Sequence, residues 1–510
     1  MSASSHSDIA TTVNRGLAWI GMASSMVWLL DILGMFIVLG LWIPPDQMGI
    51  AALAIPFFPA LDLASEMGLG AAVVQRDDHT EEKISTIFWF NFLGSVVLAV
   101  VLALGIGPAL GALHDQPIVG WMFMAYAGKL VWHNTFLIPR ALMRRQLRFG
   151  ELSLIRTLAN VGQFVGLIAA AWAGFGIWCF VVGPICRVLV TGVGIQICHP
   201  WRPRFVLQIR ETTDWLVFGA KAASSQIVYH IYTNIDYQII GFMFTPEETG
   251  LYWFAYELVL KPCFLIGEAL QAIAFAAYSR LKAVRAQLIE QFISFTRLSL
   301  VVMLGFLVII MVLADDILRL IWGADAVPAA AAARILCGVG VLRALSFVIP
   351  PLLDGVGRPG LSLTYNALAA FVLPLSFLVC AQTLSDQVGF LSVAIGWLLG
   401  YPVVFSLLVY FTLTEVKLPL TTYLRRTIGI PLCAAAGVAA GWGTRLLLLE
   451  QSLVIRMLVP MLVLMTTYLL FLAYTQGVSP RSVWRSARGK GEKQSPAPDE
   501  VRSDDQAADE

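Results

Sequence analysis

The sequence predicts an all-α polytopic membrane protein of about fourteen transmembrane helices, and three observations predict it. Of 510 residues, 58% are hydrophobic and 13% are charged, about half the charged share of a soluble domain. Apolar runs of ~20 residues, enough to cross a bilayer core, follow one another nearly end to end. Lys and Arg concentrate in alternate connections between those runs, the bias that marks the cytoplasmic side.

The runs cover roughly 17–41, 47–72, 84–108, 118–139, 153–172, 174–197, 215–240, 249–277, 293–313, 330–353, 361–381, 389–412, 427–445 and 453–475. Arg140, Arg144, Arg145 and Arg148 fill one basic connection and Arg280, Lys282 and Arg285 another, whereas the opposite set holds only Arg319. Arg334, Arg445 and Arg456 flank outer helix ends. Both termini are therefore expected in the cytoplasm. The same bias fits twelve spans if the last two runs lie at the interface, although each is long enough to cross.

Several function classes drop out. Arg15 precedes an apolar stretch too long for a signal peptide, and no small-residue cleavage site follows it. The seven cysteines carry no C-x-x-C pair and behave as small core hydrophobes. The six histidines lack metal-ligand spacing. P-loop, HExxH and GxSxG patterns are absent, so no metal, cofactor or catalytic residue is expected. A net charge of +1 argues against nucleic acid.

The chain repeats itself. GLWIPPDQMG (40–49) joins the first two runs, and GFMFTPEETG (241–250) joins the seventh and eighth. Both read Gly-x4-Pro-x3-Gly with an acid after the proline, residues that stop one helix and turn the chain into the next. FLIPRAL (136–142) and FVIPPLL (347–353) echo each other at the same interval, as does Ala-Ser-Ser at 23–25 and 223–225. This register implies two parallel six-helix lobes, 1–198 and 199–412, with two added helices in 413–475 and a disordered cytoplasmic tail in 476–510. Parallel repeats are a transporter architecture with the substrate path between the lobes. Segment 314–329 alternates apolar and charged residues and is expected to lie flat on the outer interface.

Ionisable residues inside spans face partners or water. Lys221, Ser225, Tyr229, Tyr232 and Asp236 form one stripe at helical spacing, read as lining a cavity or packing on another polar helix. Glu257 and Lys261 are spaced for an ion pair on one helix face, and Pro262 should loosen the helix beside them. Lys129, Arg187 and Arg343 are buried cations, while Arg156 can snorkel. Asp31, Asp62 and Glu66 are acids of the first two spans, where Pro56 and Pro59 should bend the chain. His133 and His230 read as hydrogen-bonded structural residues.

RGLAWIG (15–21), the PPDQMG turn, MGLGAAVVQRDD (67–78), STIFWFN (85–91) and PRALMRRQLRF (139–149) carry a resemblance to a known family. FGAKAASSQIVYHIYTNIDYQIIG (218–241) and ETGLYWFAYEL (248–258) extend it into the second lobe. The chain resembles the Wzx-type flippases of the multidrug/oligosaccharidyl-lipid/polysaccharide exporter superfamily. The resemblance implies translocation of polyprenyl-diphosphate-linked oligosaccharide from the cytoplasmic to the outer leaflet of the bacterial inner membrane, by alternating access, for surface or secreted polysaccharide. It implies a cationic cavity, for which Lys129, Arg187, Lys221, Tyr229, Tyr232, Lys261 and Arg343 are the candidates. It also implies coupling to protons or sodium ions, with Asp31, Glu66, Asp236 and Glu257 as candidates, and contact with membrane lipids and polymerase machinery. A cation-coupled multidrug antiporter of the same fold and a peptidoglycan-precursor flippase are the alternatives. An integral-membrane enzyme would need a large extramembrane loop, which this sequence lacks.

Overall fold

The computed structural model describes residues 34, 37, 38, 40–75, 80–282 and 284–476. Every regular element among them is helical, as expected where backbone groups must be satisfied without water. In chain order the helices are α1 (Pro45–Ala52), α2 (Phe58–Glu66), α3 (Leu69–Gln75), α4 (Glu81–Val101), α5 (Pro117–Thr135), α6 (Leu137–Arg145), α7 (Phe149–Trp172) and α8 (Cys179–Cys198). After a ten-residue extended connection come α9 (Ile209–Tyr232), α10 (Ile235–Met243), α11 (Pro246–Leu281), α12 (Arg285–Trp322), α13 (Ala329–Ser346) and α14 (Pro350–Gly355). The last are α15 (Pro359–Val388), α16 (Leu391–Glu415), α17 (Leu420–Thr427), α18 (Gly429–Leu447) and α19 (Leu453–Gln476).

Eleven stretches among the described residues are helical, long and apolar enough to cross a membrane. They match the second, third, fifth, sixth and eighth to fourteenth apolar runs. Helices also occupy the fourth and seventh runs, as α5 and α9 with α10, while most of the first run lies outside the described residues.

Local signals set the helix starts. Proline stands at the first or second position of α1, α5 and α11, where its missing N–H costs nothing. Thr245 and Glu248 cap α11 reciprocally: the Thr245 side chain accepts from Glu248 N at 3.3 Å, and Thr245 N donates to the Glu248 carboxylate at 3.0 Å. Pro56 begins a break, a 3₁₀ turn at Ile55–Phe57 that separates α1 from α2. Pro262, by contrast, sits inside α11 without interrupting it.

Helices α2 to α8 pack mainly on one another, as do α11 to α16, while α1 lies chiefly on α11, and α18 and α19 pair and lie along α12. The two groups meet through α1 against α11 and through α9 against α2, α3 and α4. Both meetings use glycine. A Cβ on Gly49 would collide with the carbonyl of Pro246, and one on Gly250 with that of Pro45. At the opposite end of the bundle, Gly68 lies in the left-handed region (φ +67°) with its Cα against the Gly219 backbone. Small residues let backbones approach this closely where there is no water to drive association.

Segment 314–329 departs from expectation. Residues 314–322 are the last turns of α12, with a 3₁₀ turn at Ala324–Ala326 beyond it. Instead of lying flat at the interface, this end of α12 packs into the bundle, where Asp315 and Asp316 meet three arginines. Arg334 and Arg445 reach Asp315 at 2.5 and 2.6 Å, and Arg445 also reaches Asp316 at 3.1 Å. Arg456 completes the group on Asp316. This cluster ties α18 and α19 to α12 and α13.

Candidate functional site

Among the described residues, a cavity of about 1310 Å³ is lined mostly by α2 and α5 to α8, with α11 closing one side. Its wall runs from Arg140, Arg144, Arg145 and Arg156 at the basic end up to Leu167 and Phe180. Among the described residues, seven cations line it, Lys129, Arg140, Arg144, Arg145, Arg156, Arg187 and Lys261, and two acids, Asp62 and Glu257.

Helix α5 supplies the floor. Tyr126, Lys129 and His133 recur at three- and four-residue spacing and so share a face. The Tyr126 ring stacks on Phe58 with centroids 3.8 Å apart. Lys129 Nζ donates to Asp62 Oδ1 at 2.5 Å, to Asp62 Oδ2 at 2.7 Å and to the Tyr126 hydroxyl at 2.9 Å. The 3₁₀ break before α2 presents Asp62 and Glu66, one helical turn apart, to α5. Glu66 Oε1 accepts from Arg140 at 2.8 Å and lies 2.8 Å from His133 Nε2. The chain breaks at Phe136 and resumes as α6, so Arg140 and Arg144 stand on a helix at the cavity rather than in a loop.

Two further cations hold no acid tightly. Arg187 of α8 donates to the neutral amide of Gln163 at 3.4 Å. Lys261 is 54% exposed and lies 3.6 Å from Glu257, the pair its spacing suggested.

Other candidates sit elsewhere. Tyr229, Tyr232, Asp236 and Arg343 are absent from the cavity lining and belong to a buried polar and aromatic cluster of the second half. There Tyr229, Tyr232 and Asp236, the members of the stripe whose side chains are described, pack within the protein instead of lining the cavity. Asp236 is fully buried and accepts from Tyr252 Oη at 2.6 Å, Trp397 Nε1 at 2.9 Å and Tyr237 N at 3.1 Å. The Arg343 guanidinium stands over the Trp397 ring at 4.7 Å and the Tyr401 ring at 5.5 Å. Tyr232 donates to Asn366 Oδ1 at 3.0 Å. Asp31 and the side chain of Lys221 lie outside the described residues.

The sequence reading did not single out Asp62, Arg140, Arg144 and Arg156 as cavity residues, nor Tyr252, Trp397 and Tyr401 as partners of buried charge. Spacing signals existed for Arg140 and Arg144, four apart on α6. None existed for Trp397, one of fifteen tryptophans.

The family profile described as polysaccharide biosynthesis protein matches residues 38–330, more than half of the chain. The chain belongs to the polysaccharide biosynthesis protein family. Members resembling it include the teichuronic acid biosynthesis protein TuaB of Bacillus subtilis (strain 168), 27% identical over 68% of this chain and 74% of that protein. The lipopolysaccharide biosynthesis protein WzxC of Escherichia coli (strain K12) is 24% identical over 78% of this chain and 80% of that protein. Among solved structures, the lipid II flippase MurJ in an inward closed conformation superposes with a TM-score of 0.66 at 15% identity, covering 89% of this chain and 98% of that one. That likeness establishes the fold, an all-helical membrane bundle.

Proposed function

We propose that this family member is a flippase, carrying polyprenyl-diphosphate-linked oligosaccharide repeat units from the cytoplasmic to the outer leaflet for surface or secreted polysaccharide assembly. One observation carries the reading: among the described residues, seven cations against two acids line a cavity of about 1310 Å³. Lysine and arginine are the usual partners of phosphate oxygens. The sugar crosses through this cavity while the prenyl chain stays in lipid. A cationic drug would be repelled by the same wall, which disfavours the multidrug antiporter. The names of TuaB and WzxC point to surface polysaccharide rather than peptidoglycan precursor.

The basic end of the bundle faces the cytoplasm, with both termini on that side of the inner membrane, as the charge bias requires. The Gly49–Gly250 contact then closes the outer end, and the Gly68–Gly219 contact joins the halves at the inner end. Alternating access breaks the two in turn. Coupling draws on Glu66, Asp236 and Glu257. Asp236 is fully buried and accepts from three donors, so a proton taken up there must displace one of them. A hard cation needs several oxygen ligands converging on it. Passing the product to polymerase machinery completes the scheme.

The test is reconstitution. Vesicles containing the full chain and a fluorescent polyprenyl-diphosphate oligosaccharide should expose the label of both leaflets to an impermeant quencher. Quenching that stops at the outer leaflet, as in protein-free vesicles, would refute the flippase.

A further inference from the structure

Among the cavity's cations, Lys129 differs in how it is held. Its side chain is 7% exposed, against 32% for Asp62. Both Asp62 oxygens and the Tyr126 hydroxyl lie within hydrogen-bond distance of its ammonium. Tyr126 also donates to Asp62 Oδ2 at 3.1 Å, which fixes the carboxylate in place. An anion entering the cavity therefore meets the negative face of the pair before it meets the lysine.

Arg187 offers a contrast. It is an electrostatic neighbour of both Tyr126 and Lys129, yet its own hydrogen bond goes to a neutral amide. The wall thus combines a cation ready for a ligand with one occupied by an internal acid.

From this geometry we infer that Asp62 is the resident counter-ion of Lys129, a stand-in that the substrate's diphosphate displaces on binding. The inference rests on the flippase reading and names the residue that sets ligand affinity in the cavity. A buried lysine without a partner is strongly unfavourable, so the empty cavity needs an internal anion. A diphosphate brings more charge and more acceptor oxygens than a carboxylate, and it can engage Lys129 and Arg187 together. Displacement makes binding an exchange of one ion pair for another. Affinity is thereby kept moderate, and Asp62 can expel the cargo by reclaiming Lys129. Asp62 is a positioning residue here: it acts through Lys129 and does not hold the ligand.

The experiment measures binding of farnesyl diphosphate to the purified full chain in lipid nanodiscs by calorimetry. Asp62→Asn should bind at least tenfold more tightly than the wild type while flipping more slowly, because release loses its competitor. Asp62→Asn combined with Lys129→Gln should lose that gain. Tyr126→Phe keeps the ring on Phe58 but removes the hydroxyl that holds both groups. It should tighten binding two- to threefold, and it serves if Asp62→Asn fails to fold. Wild-type binding with equal or weaker binding by the folded variants overturns the exchange alone. Loss of wild-type affinity in Arg187→Ala under the same result would still support the cavity reading. No binding by any of the proteins overturns both.

Discussion

Gly49 and Gly250 face each other backbone to backbone, each with its Cα against the carbonyl of the proline that opens the other's helix. These are the residues that repeat in PPDQMG and TPEETG. The duplicated turn is therefore more than a helix stop: the two copies are each other's packing partners. Met67–Leu69 and Gly219 play the corresponding part at the basic end, where Gly68 meets Gly219.

Replacing Gly49 or Gly250 by alanine should cost about 1–3 kcal/mol of stability, because overpacking forces the helices apart. Thermal unfolding of each variant checks this, with Gly443→Ala as control, since a Cβ there meets nothing within 4 Å. The same two variants should increase labelling of a cavity cysteine, Thr191→Cys, by an impermeant thiol reagent from the outer side. A rise in labelling from the cytoplasmic side alone would contradict the outer closure.

Asp316 is buried against Arg445 and Arg456. Asp316→Ala should lower stability by about 3–5 kcal/mol, the cost of stranding a buried charge. Transport should fall only as far as folded protein falls. Activity lost by a variant of full stability would mean that this cluster itself moves during the cycle.

Arg187→Ala and Lys261→Ala should each weaken binding of a polyprenyl diphosphate by about 10- to 100-fold, since a hydrogen bond to a charged group contributes ~1.5–3 kcal/mol. Neither should prevent membrane insertion. Calorimetry on both variants decides the matter. Unchanged affinity in the double variant would remove them from the ligand path.

Asp236→Asn should leave diphosphate binding intact and abolish acceleration of flipping by an imposed proton gradient. The carboxylate lies in a cluster distinct from the cavity, so binding and coupling separate in this variant. Vesicles with a proton or a sodium gradient make the comparison. Gradient acceleration that survives the substitution would exclude Asp236 from coupling.

Much of the bundle was legible because the bilayer imposes a strong rule: long apolar runs, with charge sorted between alternate connections. Lys129 and Asp62 were likewise visible as costly residues, each in its own span. Their pairing was not, because spans separated by 67 residues meet only through packing. Arg140 and Arg144 read as loop charge, although their four-residue spacing fits the helix α6 that places them at the cavity. Arg343 and Asp236 invited assignment to a wet cavity. Hydrogen bonds from Tyr252 and Trp397 hold Asp236 instead, and the ring faces of Trp397 and Tyr401 cover Arg343; aromatic residues in apolar spans carry no sign of that duty. The segment 314–329 misled for a related reason: its acids are neutralised by arginines distant in sequence.

The most direct measurement is mass spectrometry of lipid extracts from a strain lacking the gene, compared with the same strain carrying it. The flippase account predicts accumulation of one defined polyprenyl-diphosphate oligosaccharide, relieved by the intact gene but not by an Arg187→Ala, Lys261→Ala version. Unchanged lipid-linked oligosaccharide and normal surface polysaccharide, with drug or cation tolerance altered, would contradict it.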